Sequence, residues 1–369
     1  MDRHSDYLRA ALQQDRRPLG LFVGAGAPMA VRPGGEPLIP DIAGLTAEVR
    51  ERLEGEPAQV IRAAFDHIDN PGGRPATVEH LLDYLRRLAA VPGDEPIRGF
   101  TGEQLAGADA AVCAAIRARL DVELPGDDTP YRAVALWCRA AIRHAPVEFF
   151  TTNYDLLLEQ ALERENAPYF DGFAGSYRPA FDLHAVEEDR LPDRWARLWK
   201  IHGSVNWTLS GTGSVIRAAS ADPSERTLIY PSYQKYDQSR RLPYLALLDR
   251  LRLFLRQSSA VLVSVGFAYR DEHINDAIAQ ALNANPTGSV QALLYGPLSD
   301  YPEARTLAEA APNLSLLARD AAVVGTRAQP WASAGAAAEC GFGDFAEFGG
   351  LLLDLVGRAA TPPPDQPPP

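Results

Sequence analysis

Four short polar clusters in this sequence combine residue types that can hold a phosphate or move a proton. Gly24-Ala25-Gly26 follows an apolar run, Leu19 to Val23. Glycines at such a point let a backbone come close to a pyrophosphate and offer it N–H donors. Position 29 is Met29, so the third glycine of the usual dinucleotide fingerprint is missing. A tight strand-to-loop turn explains the pair equally well. The second cluster is Thr151-Thr152-Asn153-Tyr154-Asp155. Asn153 and Asp155 suit the N-cap of a following helix, an explanation that covers one polar residue and leaves the others. The third is Lys200-Ile201-His202-Gly203-Ser204-Val205-Asn206. A histidine at a strand end is more often structural than catalytic, but Gly203 lets a partner come close to this one. Imidazole also titrates near neutrality, which suits a general base. The fourth runs from Val265 through Gly266, Phe267 and Asp271 to Asn275. A ribose- or phosphate-binding turn and a capped helix start are equally good readings of it.

The elements that must carry these clusters are legible in outline. Leu19 to Val23, Val147 to Thr152, Leu198 to Ile201, Val261 to Val265, Val290 to Tyr295 and Leu314 to Leu317 read as strands. Tyr154 to Glu165, Tyr244 to Gln257, Asp271 to Leu282 and Phe345 to Val356 read as helices. Strands alternating with helices predict an α/β fold: a Rossmann-like, mostly parallel sheet with helices on both faces. Ligands then bind beyond the carboxyl ends of the strands, where the four clusters fall. Val78, Leu81, Leu82 and Leu85 share one helical face. Gln329 to Cys340 reads as a loop, and the proline-rich end, 359–369, as a disordered tail after one domain, 1–358.

Composition narrows the function. The 46% apolar content suits a globular chain, and no run reaches the roughly 20 residues of a membrane span. Met1 to Ala10 has no apolar signal core, so a cytoplasmic protein is expected. A net charge of −12 argues against direct nucleic-acid binding. Cys113, Cys138 and Cys340 are scattered and odd in number, which excludes a disulfide framework or a Cys-x-x-Cys zinc knuckle.

Taken in order, the clusters resemble the sirtuin family. Gly24-Ala25-Gly26 is similar to its NAD loop, and Pro40-Asp41 to the Pro-Asp that follows. Thr152-Asn153-Tyr154-Asp155 resembles its Asn-x-Asp motif, His202-Gly203 its catalytic His-Gly, and Gly266-Phe267 a later NAD-binding turn. Val78-Glu79-His80-Leu81-Leu82, Tyr230 to Tyr236 and Gly266 to Asn275 resemble segments of one branch, the bacterial sirtuin-like domains of anti-phage defence. Against deacylases, Ala27 is followed by Pro28, Asp41 by Ile42-Ala43 rather than Phe-Arg, and the zinc cysteines are missing. A helical subdomain at about 51–120 is expected in place of the zinc module. It is also the best candidate for a lid or an assembly surface, unless its apolar stripe packs on its own domain.

The resemblance implies hydrolysis of NAD+ to nicotinamide and ADP-ribose, with NAD as substrate and no metal. Asn153 would orient the ribose and the attacking water, Asp155 would bind near the nicotinamide amide, and His202 would accept a proton. Gly24, Ala25, Gly26, Asp41, Thr152, Gly266, Phe267 and Asp271 would line the dinucleotide site. It further implies a restrained, NAD-depleting effector, a homo-oligomer or the partner of a HerA-type ATPase. A protein deacylase and a non-catalytic NAD or ADP-ribose sensor are the alternatives.

Overall fold

The computed structural model describes residues 2–359 except 15, 71–72, 74, 92, 94, 127, 142, 219–225, 230–242 and 332–338. The expected proline-rich tail from 360 and the segment Tyr230 to Tyr236 lie outside the described residues.

A nine-stranded sheet forms the spine, in the order β14-β13-β12-β11-β10-β1-β2-β6-β3. Its central strands are β1 (Leu19–Val23), β2 (Val147–Thr151), β6 (Ala196–Lys200), β10 (Val261–Val265), β11 (Ser289–Leu293) and β12 (Leu314–Leu317). From β12 across to β3 (Tyr169–Phe170) every neighbouring pair is parallel. Antiparallel β13 (Ala321–Val324) and β14 (Arg327–Pro330) finish one edge. The mostly parallel α/β sheet expected from the sequence is therefore present.

Strands β1, β2, β6 and β10 are buried along their whole length, which explains why most of their residues are apolar; the charged exceptions, Glu148, Arg197 and Lys200, are buried with partners. Alternate side chains serve two cores. Leu19, Leu21, Val23, Phe149 and Val263 face one; Phe22, Phe150, Trp199 and Leu262 face the other. The first core is covered by α1 (Asp2–Gln13), α2 (Ile42–Arg52), α3 (Gly55–Ile68), α4 (Val78–Ala89), α5 (Gly102–Leu120), α6 (Pro130–Ala140), α7 (Leu157–Arg164) and α12 (Phe345–Ala359). Packed on the second are α8 (Leu183–Glu188), α9 (Tyr244–Arg256), α10 (Glu272–Ala284) and α11 (Pro302–Ala310).

The region after Glu51 is helical. Val78, Leu81, Leu82 and Leu85 of α4 are wholly buried in the first core, so that stripe packs on its own chain and is not a surface for a partner.

A smaller antiparallel sheet was not foreseen: β4 (Phe173–Ala174), β5 (Ala180–Phe181), β8 (Val215–Arg217), β7 (Gly203–Leu209) and β9 (Arg226–Ile229), in that spatial order. Its longest strand, β7 (Gly203–Leu209), starts immediately after His202. Gln329 and Pro330, expected in a loop, pair with Ala322 and Ala321 as the end of β14. No helix among the described residues is long and apolar enough to cross a membrane.

Candidate active site

In the chain's path β1 leads to β2 on one side, while β10 leads to β11 on the other. The chain order therefore reverses between β1 and β10, the kind of switch point beside which parallel sheets bind ligands. All four sequence clusters end on this carboxyl edge.

At the centre the two glycine turns lock together. Gly24 and Gly26 donate their N–H groups to the carbonyls of Val265 and Gly266, at 2.9 and 2.8 Å. A Cβ on Gly24 would lie 2.4 Å from the Gly266 oxygen. Gly266 itself has φ +68°, and a Cβ there would lie 2.5 Å from the Ala27 nitrogen. Close backbone approach is thus the reason for both glycines. Since the Gly24 and Gly26 donors are committed to this contact, the exposed Ala25 is the amide of the loop with no hydrogen bond among the described residues.

Beside it, Thr151 at the end of β2 donates its hydroxyl to the Val23 carbonyl at 2.6 Å. Thr151 Oγ1 also accepts the Asn153 N–H at 3.0 Å. Asn153 in turn donates Nδ2 to the Gly24 carbonyl at 3.1 Å. Its Oδ1 is buried and accepts no hydrogen bond within 3.5 Å among the described residues. A buried acceptor left in that state costs roughly 1–3 kcal/mol, so the atom is ready for a ligand donor.

Asp155 is buried and stands at the start of α7, where its Oδ1 accepts the Leu157 N–H at 3.0 Å. Burial pushes its carboxyl up to about 6, against the pull of the nearby Lys200 ammonium. Lys200, nearly inaccessible on β6, pairs with Glu159 at 2.7 Å and donates to the Asp155 carbonyl. Its charge between the apolar Trp199 and Ile201 was the signal that the sequence held for it. Tyr131 on α6 is buried beside Asn153; burial raises its phenol well above the ordinary value, the Asp155 and Glu159 charges add to this, and the Asn153 side chain opposes it. Nothing in the sequence separates it from a core residue.

His202 lies in the two-residue step from β6 to β7, and Gly203 makes the turn with φ +90°. The imidazole is 3% exposed. Its Nε2 stands 3.0 Å from Asp271 Oδ2, and the Tyr154 ring stacks on it at 6.5 Å between centroids. Asp271 caps α10, its Oδ1 accepting the N–H groups of His273 and Ile274. Burial works to raise this carboxyl, but the His202 hydrogen bond and charge and the Ile274 amide together hold it below its ordinary value. Phe267 packs its ring on Phe22 at 4.5 Å and on Tyr269 at 4.7 Å.

Gly24, Asn153 and Gly266 are thus joined in one network, and His202 with Asp271 in another. Thr152 is half-buried between Thr151 and Asn153. Asp41 is exposed and caps α2 through the Gly44 N–H at 2.8 Å; no hydrogen bond or ion pair described links it to the other site residues. No group of three or more His, Cys, Asp or Glu among the described residues could hold a metal.

The model of the SIR2-like domain matches residues 147–317, from the start of β2 to the end of β12. That stretch is thus similar to a SIR2-like domain, and it includes Asn153, His202, Gly266 and Asp271. A solved structure described as "Structural Basis for the Mechanism and Regulation of Sir2 Enzymes" is similar at 11% identity over 97% of this chain and 98% of that one. Its TM-score is 0.46, and the likeness stands as an observation only. No curated protein matches the chain.

Proposed function

We propose that the protein is an NAD+ glycohydrolase, cleaving the nicotinamide–ribose bond with water to give nicotinamide, ADP-ribose and a proton. The observation that carries this reading is the buried, unsatisfied Oδ1 of Asn153, on a side chain whose Nδ2 is tied to the Gly24 carbonyl at the switch point between β1 and β10. Such an acceptor suits a ribose hydroxyl or a water.

The charge distribution of the reaction agrees with the residues present. Bond cleavage passes through an oxocarbenium-like state, as in glycoside hydrolysis, and nicotinamide leaves neutral, so no strong acid is needed. The site must instead orient the ribose and accept one proton. Asn153 supplies orientation. His202 supplies the base: Asp271 at its Nε2 favours the tautomer with the proton on that nitrogen, which makes Nδ1 the basic one. Ala25 offers an exposed amide to the pyrophosphate, while Gly24 and Gly266 allow the close approach. Asp155 lies on the Asn153 side of the switch point and, with a carboxyl near 6, can hold a proton toward a carboxamide at acidic to neutral pH.

An open hydrolase of this kind would exhaust its own cell, so the reading includes restraint. Anti-phage defence, self-assembly and a HerA-type ATPase partner come from the resemblance of the motifs to that branch. The deciding experiment incubates purified protein with NAD+ and follows nicotinamide release, with and without an acetylated peptide and across protein concentration. H202A and N153A should each abolish release with unchanged thermal melts. Release that requires the peptide would make the protein a deacylase; tight NAD+ binding without release would make it a sensor.

A further inference from the structure

One contact that the proposed reaction leaves unexplained reaches the site from the helical layer. Tyr154, between Asn153 and Asp155, has a 6% exposed side chain. Its hydroxyl donates to Glu79 Oε1 at 2.7 Å. Its ring stacks on the His202 imidazole, 28° from parallel. Its carbonyl accepts the Val205 N–H at 3.0 Å and the Ser204 hydroxyl at 3.3 Å, so the backbone that carries the ring is tied to the strand that follows His202.

Glu79 belongs to the helical layer. It occupies the first turn of α4, whose position is fixed three times over. A capping box joins Thr77 and His80, the Val78 N–H donates to the Thr46 hydroxyl of α2 at 3.1 Å, and the buried stripe locks the helix's rotation. A carboxylate held this firmly is a fixed point for a tyrosine hydroxyl, and a charged acceptor makes the stronger bond.

We infer that Glu79 is a positioning residue: through Tyr154 it fixes the ring face against which His202 stands, and so ties the base to the helical layer. The inference rests on the glycohydrolase reading only for its turnover arm. A purely structural explanation competes with it, because an acidic residue in a helix's first turn also favours the helix dipole.

Four variants separate the two. E79A removes the acceptor and Y154F the donor. E79A/Y154F removes both, and E79Q keeps an acceptor oxygen while losing the charge. The first readout needs no substrate: the imidazole signals of His202, identified by their loss in H202A, in protein labelled at histidine nitrogen. E79A and Y154F should move these signals alike, the double variant no further, and E79Q much less. The second readout is NAD+ turnover, where E79A and Y154F should each lower kcat on the order of tenfold with KM little changed. The double variant should be no slower than either, and E79Q should restore most of the loss. Unmoved imidazole signals in E79A, additive losses in the double variant, or an E79Q indistinguishable from E79A would overturn the inference. Wild-type protein without turnover would refute the glycohydrolase reading alone, and the imidazole signals would still decide this one.

Discussion

Nε2 of His202 stands 3.0 Å from Oδ2 of Asp271, while the other oxygen of that carboxylate caps α10 through the His273 and Ile274 amides. One side chain therefore orients the His202 imidazole and starts a helix. The substitution that separates these duties is D271N. Asparagine is as good an N-cap as aspartate, so α10 should survive, but a neutral amide cannot stabilise an imidazolium. We expect kcat for NAD+ cleavage to fall about 100-fold or more, with a melting temperature close to wild type. D271A should lose the cap as well, at about 1 kcal/mol. Full turnover in D271N would show that the pair is structural.

The interlocked glycines make a second prediction. The atoms that a Gly24 Cβ would meet, the Gly266 oxygen at 2.4 Å and the Phe267 Cα at 2.6 Å, are backbone and cannot swing away. G24A should force β1 and β10 apart at their carboxyl ends, costing about 1–3 kcal/mol as overpacking does. It should also weaken NAD+ binding, measured by calorimetry, because the switch point itself is reshaped. G34A is the comparison for a glycine with open space around it. Strain from its φ of +75° is then the whole cost, with no effect on binding.

Asp155 predicts a pH dependence. Burial raises its carboxyl from 3.8 to about 6 in the folded protein, with Lys200 opposing. The folded state thus holds this proton more tightly than the unfolded one. Its contribution favours folding below about pH 4 and is lost as pH rises to about 6, by up to about 3 kcal/mol. D155N cannot titrate and still offers an oxygen to the Leu157 amide. The wild-type stability minus that of D155N, from urea unfolding, should therefore fall between pH 4 and 6 and then level. Parallel pH profiles would contradict the buried, titrating carboxyl.

How much of this was legible in the sequence follows from burial. Strands β1, β2, β10 and β12, most of whose residues are buried and apolar, were placed to within a residue or two. The antiparallel sheet was not foreseen, because β4 and β5 are two residues long and β7 buries Ser204 and Thr208. Such strands carry no apolar alternation. β14 is exposed at every residue and reads as loop for the opposite reason. Within the site, the rule that ligands lie beyond strand ends located the clusters. It could not show that His202 faces Asp271, or that Glu79 meets Tyr154, since neither pairing leaves a local pattern. The helix after β2 starts at Leu157 rather than Tyr154, because Asp155 turns its side chain onto the Leu157 amide.

The last prediction concerns the charges buried under the sheet that carries the site. Glu148 on β2 accepts the Trp199 indole N–H at 2.7 Å and lies 3.6 Å from Arg250 of α9. Burial pushes the Glu148 carboxyl up, and Arg250 draws it back down. Arg250 also pairs with Asp189 at 2.7 Å, which Arg197 of β6 holds at 2.6 Å. The cluster thus fastens α9 to the two strands that lead to Asn153 and His202. R250M fills the space but leaves the carboxylate without its compensating charge, and breaking a buried pair in this way costs about 3–5 kcal/mol. E148Q removes that charge while keeping an acceptor for Trp199. The double variant E148Q/R250M should therefore recover a large part of the loss, measured by urea unfolding at neutral pH. Equal destabilisation in the single and double variants would mean that Arg250 acts through Asp189 alone, and that the Glu148 carboxyl tolerates burial without it.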